Sequence, residues 1–320
     1  MTCGIRSMIT TSARSPGLKL SRRELLRATL GAVALFFNRS TMAAITMLRR
    51  PIPKTAESLP VIGLGTWQTF DVGVSESARA PLREVLRELV RGGGNVVDSS
   101  PMYGQSESVV GDLAASLNLR SELFLATKVW TSGREAGIRQ MEQSFQRLRT
   151  ERMDLMQVHN LVDWRTQLAT LRQWKEEGKV RYIGVTHYTS GAYDELARVL
   201  KSEDLDFVQI NYSVAEREAE RRILPLAAER RIAVLVNRPF AQSGLFGKVR
   251  GKSLPAWAKE IGCATWAQFF LKFVISHPSV TCAIPGTSNV RHLMDNMRAG
   301  LPPLPDQFAR ERMARLVADL

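Results

Sequence analysis

From Val61 to Met297 the chain alternates, eight times over, between a short apolar run and a longer stretch with helical spacing. The runs fall at 61–65, 95–98, 123–128, 153–159, 182–186, 207–212, 233–237 and 281–284. The intervening helical patterns cover 78–91, 107–117, 134–148, 164–177, 192–200, 218–230, 265–275 and 290–297. Strands that are apolar throughout are buried on both faces, which happens in parallel sheets covered by their crossover helices. Eight such units predict an α/β fold of the (β/α)8 TIM-barrel class. A doubly wound sheet alternates in the same way but carries G-x-G-x-x-G after its first strand. Gly63-Leu64-Gly65-Thr66-Trp67-Gln68 has the first two glycines and lacks the third. Ahead of the first run, apolar segments at 45–52 and 59–64 flank Pro53–Ser58 and predict a leading hairpin. Two further segments complete the body: a glycine-bearing loop at 241–261, read as a clamp, and an amphipathic helix at 307–320.

The chain has 320 residues and a formal charge of +13, which taken alone suggests a nucleic-acid partner. Placement argues otherwise. Residues 1–50 hold nine Lys/Arg and one acid, +8 of that total, leaving +5 over the rest of the chain. No interleaving of aromatic and basic residues marks a nucleic-acid surface. Cys263 and Cys282 read as core thiols, and no Cys/His spacing suggests a metal site. Residues 1–44 read as an address rather than a fold. Ser21-Arg22-Arg23-Glu24-Leu25-Leu26-Arg27 precedes the weakly apolar run Ala28–Phe37. A basic segment before an apolar run too short to span a bilayer is a signal-peptide layout. The paired arginines resemble the twin-arginine export signal, with Leu25 where phenylalanine is commonest. The domain division is therefore 1–44 as signal and 45–320 as barrel. The expected location is periplasmic or otherwise exported, with no membrane span after processing and the twin-arginine machinery as partner. An uncleaved anchor, or a cytoplasmic enzyme with a mis-set start codon, is the alternative.

Three of the runs end in a residue suited to proton chemistry: Asp98, Lys128 and His159, with Tyr103 five positions after Asp98. The C-terminal ends of barrel strands open on one face, so the four can converge. A tyrosine holds its proton near neutrality, and a neighbouring ammonium lowers its pKa. A buried lysine needs a counter-charge, which Asp98 can supply. A neutral histidine can donate to a substrate oxygen. Together they make a general acid aimed at an oxygen that gains negative charge, as in carbonyl reduction. Side chains donate no hydride, so this chemistry requires a nicotinamide cofactor.

These residues lie in VIGLGTW (61–67), VVDSSPMYG (96–104), LFLATKVW (123–130), DLMQVHN (154–160), GKVRYIGVTHY (178–188), FVQINYS (207–213) and AIPGTSNVRHLMDN (283–296). In order and content the segments resemble the aldo-keto reductase superfamily. The resemblance implies a barrel plugged by the hairpin, a monomer, and NADPH rather than NADH bound across the C-terminal face. It implies Tyr103 as general acid/base, Lys128 as its partner, Asp98 as counter-ion and His159 as substrate-orienting donor. For the cofactor it implies Gly65, Thr66 and Trp67 at the rim, and Thr186, His187 and Gln209 at the carboxamide. Asn237 and Arg238 stand where many members stack an aromatic ring, and Gly244 and Leu245 near the pyrophosphate. Gly286, Thr287, Ser288 and Arg291 stand at the adenosine phosphate, and Asp295 and Asn296 at the adenine. His292 stands where arginine is usual, and Gly286 where lysine is common. The substrate implied is a small-molecule aldehyde or ketone. A nucleotide-binding sensor or accessory subunit on the same barrel is the rival reading.

Overall fold

A computed structural model describes residues 46–320. The basic-apolar segment 1–44, and with it the expected export signal, lies outside the described residues. β1 (Arg49–Pro51) and β2 (Ser58–Pro60) pair antiparallel, Arg49 opposite Pro60. This is the expected hairpin. Eight parallel strands follow: β3 (Leu64–Gly65), β4 (Val96–Asp98), β5 (Phe124–Val129), β6 (Met153–Val158), β7 (Val180–His187), β8 (Phe207–Asn211), β9 (Ala233–Asn237) and β10 (Cys282–Ala283). Each pairs with its sequence neighbour, and bridges Ile62–Ala283 and Gly65–Gly286 join the first to the last. The sheet therefore closes into the (β/α)8 barrel. Glycine makes the seam possible, since a Cβ on Gly65 would lie 2.7 Å from the Ile284 carbonyl oxygen.

The helices between strands are α1 (Glu76–Arg91), α2 (Ser106–Ser116), α3 (Arg134–Arg147), α4 (Trp164–Glu176), α5 (Tyr193–Ser202), α6 (Ile223–Glu229), α7 (Gly244–Lys248), α8 (Trp266–Ile275) and α9 (Val290–Arg298), with α10 (Gln307–Ala318) closing the chain. The helix expected at 218–230 is broken. A 3-10 turn spans Glu218–Arg221 and α6 starts afresh at Ile223. Pro225 has no N–H for the Arg221 carbonyl and its ring crowds that oxygen, which favours the break at Arg222. The loop expected at 241–261 folds into α7 and a 3-10 turn, and Phe246 packs on Phe240 with ring centroids 4.9 Å apart.

Strand parity decides what lies inside the barrel. Val96, Phe124, Ala126, Leu155, Tyr182, Phe207, Ala233, Leu235, Cys282 and Ile284 form one apolar cluster with Ile52 and Leu59 of the hairpin. That cluster is the barrel interior, and the hairpin closes its N-terminal end. A second, larger cluster fills the space between strands and helices. Cys263 and Cys282 are free, buried thiols, and burial pushes the Cys263 thiol up to about 12. No described helix is long and apolar enough to cross a membrane.

Candidate active site

Continuing each inward-facing series by two residues toward the strand ends replaces apolar side chains with polar ones. Val96 leads to Asp98, Ala126 to Lys128, Leu155 to Gln157, Phe207 to Gln209 and Leu235 to Asn237. This polar layer caps the apolar interior on the C-terminal face. Lys128 is wholly buried and Asp98 nearly so. Lys128 Nζ donates to Asp98 Oδ2 and to the Ser99 carbonyl oxygen, each at 2.7 Å. Asp98 Oδ1 accepts from Gln209 Nε2 at 2.7 Å and from Gln157 Nε2 at 3.4 Å. An ion pair taken from water holds together only when its remaining hydrogen-bonding atoms are also satisfied, and the two amides do this for the carboxylate.

Tyr103 sits in the turn after β4. Its N–H donates to the Ser100 carbonyl oxygen, and its carbonyl oxygen accepts from Ser106 N–H. Gly104 follows with φ +57°, and a Cβ there would lie 2.2 Å from Asp71 Oδ1, the atom that accepts from Gln105 N–H. The turn is thus fixed in place. The tyrosine is half-buried with its hydroxyl end the more enclosed, and Lys128 Nζ lies 4.9 Å from its ring centroid. Burial raises the phenol pKa; Lys128 opposes that rise and Asp98 adds to it. The sequence led us to expect a net lowering. In the structure desolvation outweighs the ammonium, because withdrawal from water disfavours the phenolate more than Lys128 favours it. Tyr103 is therefore a protonated donor at neutral pH.

His159, just past β6, is buried, and burial followed by repulsion from Lys128 holds its imidazole down at about 2. Its Nδ1 lies 3.1 Å from Ser100 Oγ. In the tautomer in which Ser100 Oγ–H donates to Nδ1, Nε2–H is the free donor. The rings of Tyr103 and His159 meet edge to face, 6.0 Å between centroids. Nε2–H and the phenol can thus address one oxygen. Ser100 and Gln157 were not singled out from the sequence. Both lie inside the quoted motifs, and the two-residue step from Gln157 on β6 to His159 just past it was the signal that could have exposed the glutamine.

The pH behaviour follows. His159 at about 2 and His277 at about 4 are neutral in the folded chain, whereas an unfolded histidine titrates near 6.5. Below about pH 6.5 the unfolded state binds more protons, so stability falls as pH drops. Urea midpoints are expected to be level above that pH and to decline steadily toward pH ~4. The His159 ring resonances should stay unshifted between about pH 8 and 5. A His159 titration near 6.5 would contradict this placement.

The expected cofactor residues divide into free and engaged groups. Gly65 and Gly286 form the barrel seam. Thr66 is buried, its hydroxyl donating to the Asp98 carbonyl oxygen at 3.0 Å. Thr186 is buried at the end of β7. His187 Nδ1 accepts from Thr189 N–H, which leaves Nε2–H as donor, and burial lowers its pKa. Leu245 is buried in α7, and Gly244 is exposed beside it. At α9, Thr287 Oγ1 accepts from Asn289 N–H and Asn289 Oδ1 from Arg291 N–H, while Gly286, Ser288, Arg291 and His292 are exposed. Neither Arg291 nor His292 makes an ion pair among the described residues. Asn296 is buried, and Asp295 accepts from Thr265 Oγ1 at 2.7 Å and Gln268 Nε2 at 2.6 Å. The Asp295 carboxylate thus ties α9 to the start of α8.

Two atoms remain unmet at the end of β9. Asn237 Oδ1 and Arg238 Nε are buried without a partner. Arg238 has φ +50°, and Ala241, Gln242 and Ser243 ahead of α7 are also left-handed. Such conformations cost energy in non-glycine residues and cluster where ligands bind. A buried acceptor beside a buried guanidinium N–H suits a carboxamide joined to a pyrophosphate. On the same face, Trp67, Met102, Trp130 and Tyr188 follow four different strands and are 40–46% exposed. Large apolar side chains gathered at a polar floor form the mouth of a small-molecule site. The described residues include no cluster suited to a metal ion.

A closed barrel with a proton-transfer centre on its C-terminal face defines an oxidoreductase-type site. A model of the aldo/keto reductase family matches residues 61–314, and the chain belongs to that family. It is 31% identical over 249 residues to methylglyoxal reductase YeaE of Escherichia coli, covering 75% of this chain and 84% of the relative. It is 28% identical over 250 residues to an NADH-specific methylglyoxal reductase of the same organism, covering 67% and 73%. Among solved structures, an aldo-keto reductase from Klebsiella pneumoniae in complex with NADPH superposes with TM-score 0.70 at 27% identity, covering 85% of this chain and 96% of that one. Another from that organism, with NADP and acetate, gives 0.68 at 28% identity, covering 81% and 92%.

Proposed function

We propose that the protein is an exported, monomeric reductase that converts aldehyde or ketone carbonyls to alcohols with NADPH, and that Tyr103 is its general acid. One observation carries the reading: a buried Lys128–Asp98 pair lies beneath a protonated Tyr103 and beside a neutral His159. NADPH, when bound, supplies the hydride. His159 Nε2–H and the Tyr103 hydroxyl hold the carbonyl oxygen and polarise it. As that oxygen gains negative charge, Tyr103 gives up its proton, and Lys128 stabilises the phenolate left behind. Asp98 keeps Lys128 charged and aimed. The exposed Trp67, Met102, Trp130 and Tyr188 offer the substrate an apolar approach to these groups.

Two relatives are named as methylglyoxal reductases, which supports small reactive carbonyls such as α-oxoaldehydes as substrates. Arg291 and His292, exposed at the start of α9, suit the extra phosphate of NADPH, and a helix N-terminus favours an anion there. The paired arginines Arg22 and Arg23 support export of the folded chain.

The test is steady-state oxidation of NADPH and NADH by purified protein with methylglyoxal, aromatic aldehydes and sugars. Many turnovers, with NADPH preferred, are expected. A single stoichiometric oxidation would assign the barrel a sensing role instead. Fractionation of cells carrying R22K/R23K should show the protein retained inside; unchanged export would remove the twin-arginine reading.

A further inference from the structure

Gln209 has both ends of its amide engaged inside the protein. Nε2 donates to Asp98 Oδ1 at 2.7 Å, and Oε1 accepts from Asn237 Nδ2 at 3.3 Å. The orientation is dictated by charge. A carboxylate accepts only, so Gln209 must turn its NH2 group to Asp98. Its oxygen then faces Asn237, which must answer with its own NH2 group. Asn237 Oδ1 is what remains, buried and without a partner. A buried acceptor in that condition carries a desolvation cost until a donor reaches it. The row of groups is directional, each amide donating toward Asp98, and it ends on an open acceptor at the C-terminal end of β9.

We propose that Asn237, Gln209 and Asp98 form a relay in which the carboxamide NH2 of the nicotinamide cofactor donates to Asn237 Oδ1 and thereby fixes the Asp98–Lys128 pair for Tyr103. This rests on the nicotinamide reading above. It assigns the carboxamide NH2 to the unpartnered Asn237 Oδ1 rather than to Gln209 Oε1, which already accepts from Asn237 Nδ2. A donor at Oδ1 polarises the Asn237 amide, which strengthens its hydrogen bond to Gln209 and, in turn, that of Gln209 to the carboxylate. Asp98 is then held by Lys128 and Gln209 from opposite oxygens, and Lys128 stays directed at the phenol. Asn237 is a binding residue for the carboxamide and a positioning residue for proton transfer. Cofactor occupancy and readiness of the acid are coupled through three side chains.

Two probes separate these roles. The first is binding of NADP+ against its 3-acetylpyridine analogue, whose methyl ketone lacks the NH2 donor, followed by tryptophan fluorescence. Wild type should bind the analogue roughly fivefold more weakly, as expected for one lost hydrogen bond. Asn237→Leu should bind both alike. Asn237→Asp, nearly the same size, keeps an acceptor for the carboxamide and should still discriminate. The second probe is kcat at saturating NADPH. Asn237→Asp turns an acceptor toward Gln209 Oε1 and forces that amide to flip away from Asp98, so kcat should fall about tenfold or more. Thermal melts of both variants confirm that they are folded. Discrimination retained in Asn237→Leu overturns the carboxamide contact. An unchanged kcat in Asn237→Asp overturns the relay. Wild type that binds neither dinucleotide defeats the nicotinamide reading itself, an outcome distinct from both.

Discussion

Tyr103→Phe is expected to slow carbonyl reduction by roughly 10²–10⁴-fold, the range over which a positioned proton donor contributes, while NADPH affinity stays near that of wild type. The change removes one oxygen and leaves the ring, so its edge-to-face contact with His159 and its place over Lys128 persist. The fold should be unaffected, because the turn that carries Tyr103 is secured by backbone hydrogen bonds and by Gly104 and Asp71, none of which involves the hydroxyl. What is lost is the proton that meets the developing alkoxide. His159 cannot replace it: its Nε2–H belongs to a neutral imidazole, whose release of a proton to leave an anion is far less favourable than that of a phenol. Steady-state kinetics beside fluorescence titration of NADPH checks both halves. Residual activity within a few-fold of wild type would move the acid to another group.

The second large effect is Lys128→Met. It is expected to destabilise the fold by about 3–5 kcal/mol and to abolish turnover, since it strands a buried carboxylate without its counter-ion. Asp98 would keep only its amide donors, Gln209 and Gln157. Adding Asp98→Asn to Lys128→Met should restore much of the stability, because a neutral amide at 98 suits the same donors. Activity should not return, since Tyr103 then has no ammonium to stabilise its phenolate. Urea unfolding of the two single variants and the double variant gives the coupling energy directly. Near-additive losses would mean that the pair does not interact as its 2.7 Å separation indicates.

Much of the barrel was legible because its signal is periodic. Strands buried on both faces read as continuous apolar runs, and the eight runs coincide with β3 to β10 to within a few residues. The hairpin was marked by Pro53 and the polar turn after it. The broken helix at 218–230 was missed because amphipathic spacing continues across Pro225, while the hydrogen bond that Pro225 would have donated to Arg221 is lost. At the site, Asp98, Lys128 and His159 stand out as polar residues ending apolar strands, and the fold brings them together as expected. The direction of the Tyr103 pKa shift was not legible. It depends on how deeply the hydroxyl is enclosed, which sequence does not encode locally. Gln209 shows a similar gap. Its inward parity was readable, but its bond to Asp98 follows from the curvature of a closed sheet, which brings β8 across the barrel to face β4. The Asp295 carboxylate was likewise out of reach, because its partners Thr265 and Gln268 belong to a different helix.

The central claim is that hydride from a bound dihydronicotinamide and a proton from Tyr103 reduce a carbonyl on the C-terminal face of this barrel. The direct measurement supplies NADPH deuterated at the transferable C4 position with excess aldehyde and locates the label in the product. Wild type should place one deuterium on the carbinol carbon of every alcohol formed over many turnovers, and Tyr103→Phe should form almost none. Unlabelled alcohol, or equal labelled product from both proteins, would contradict the account.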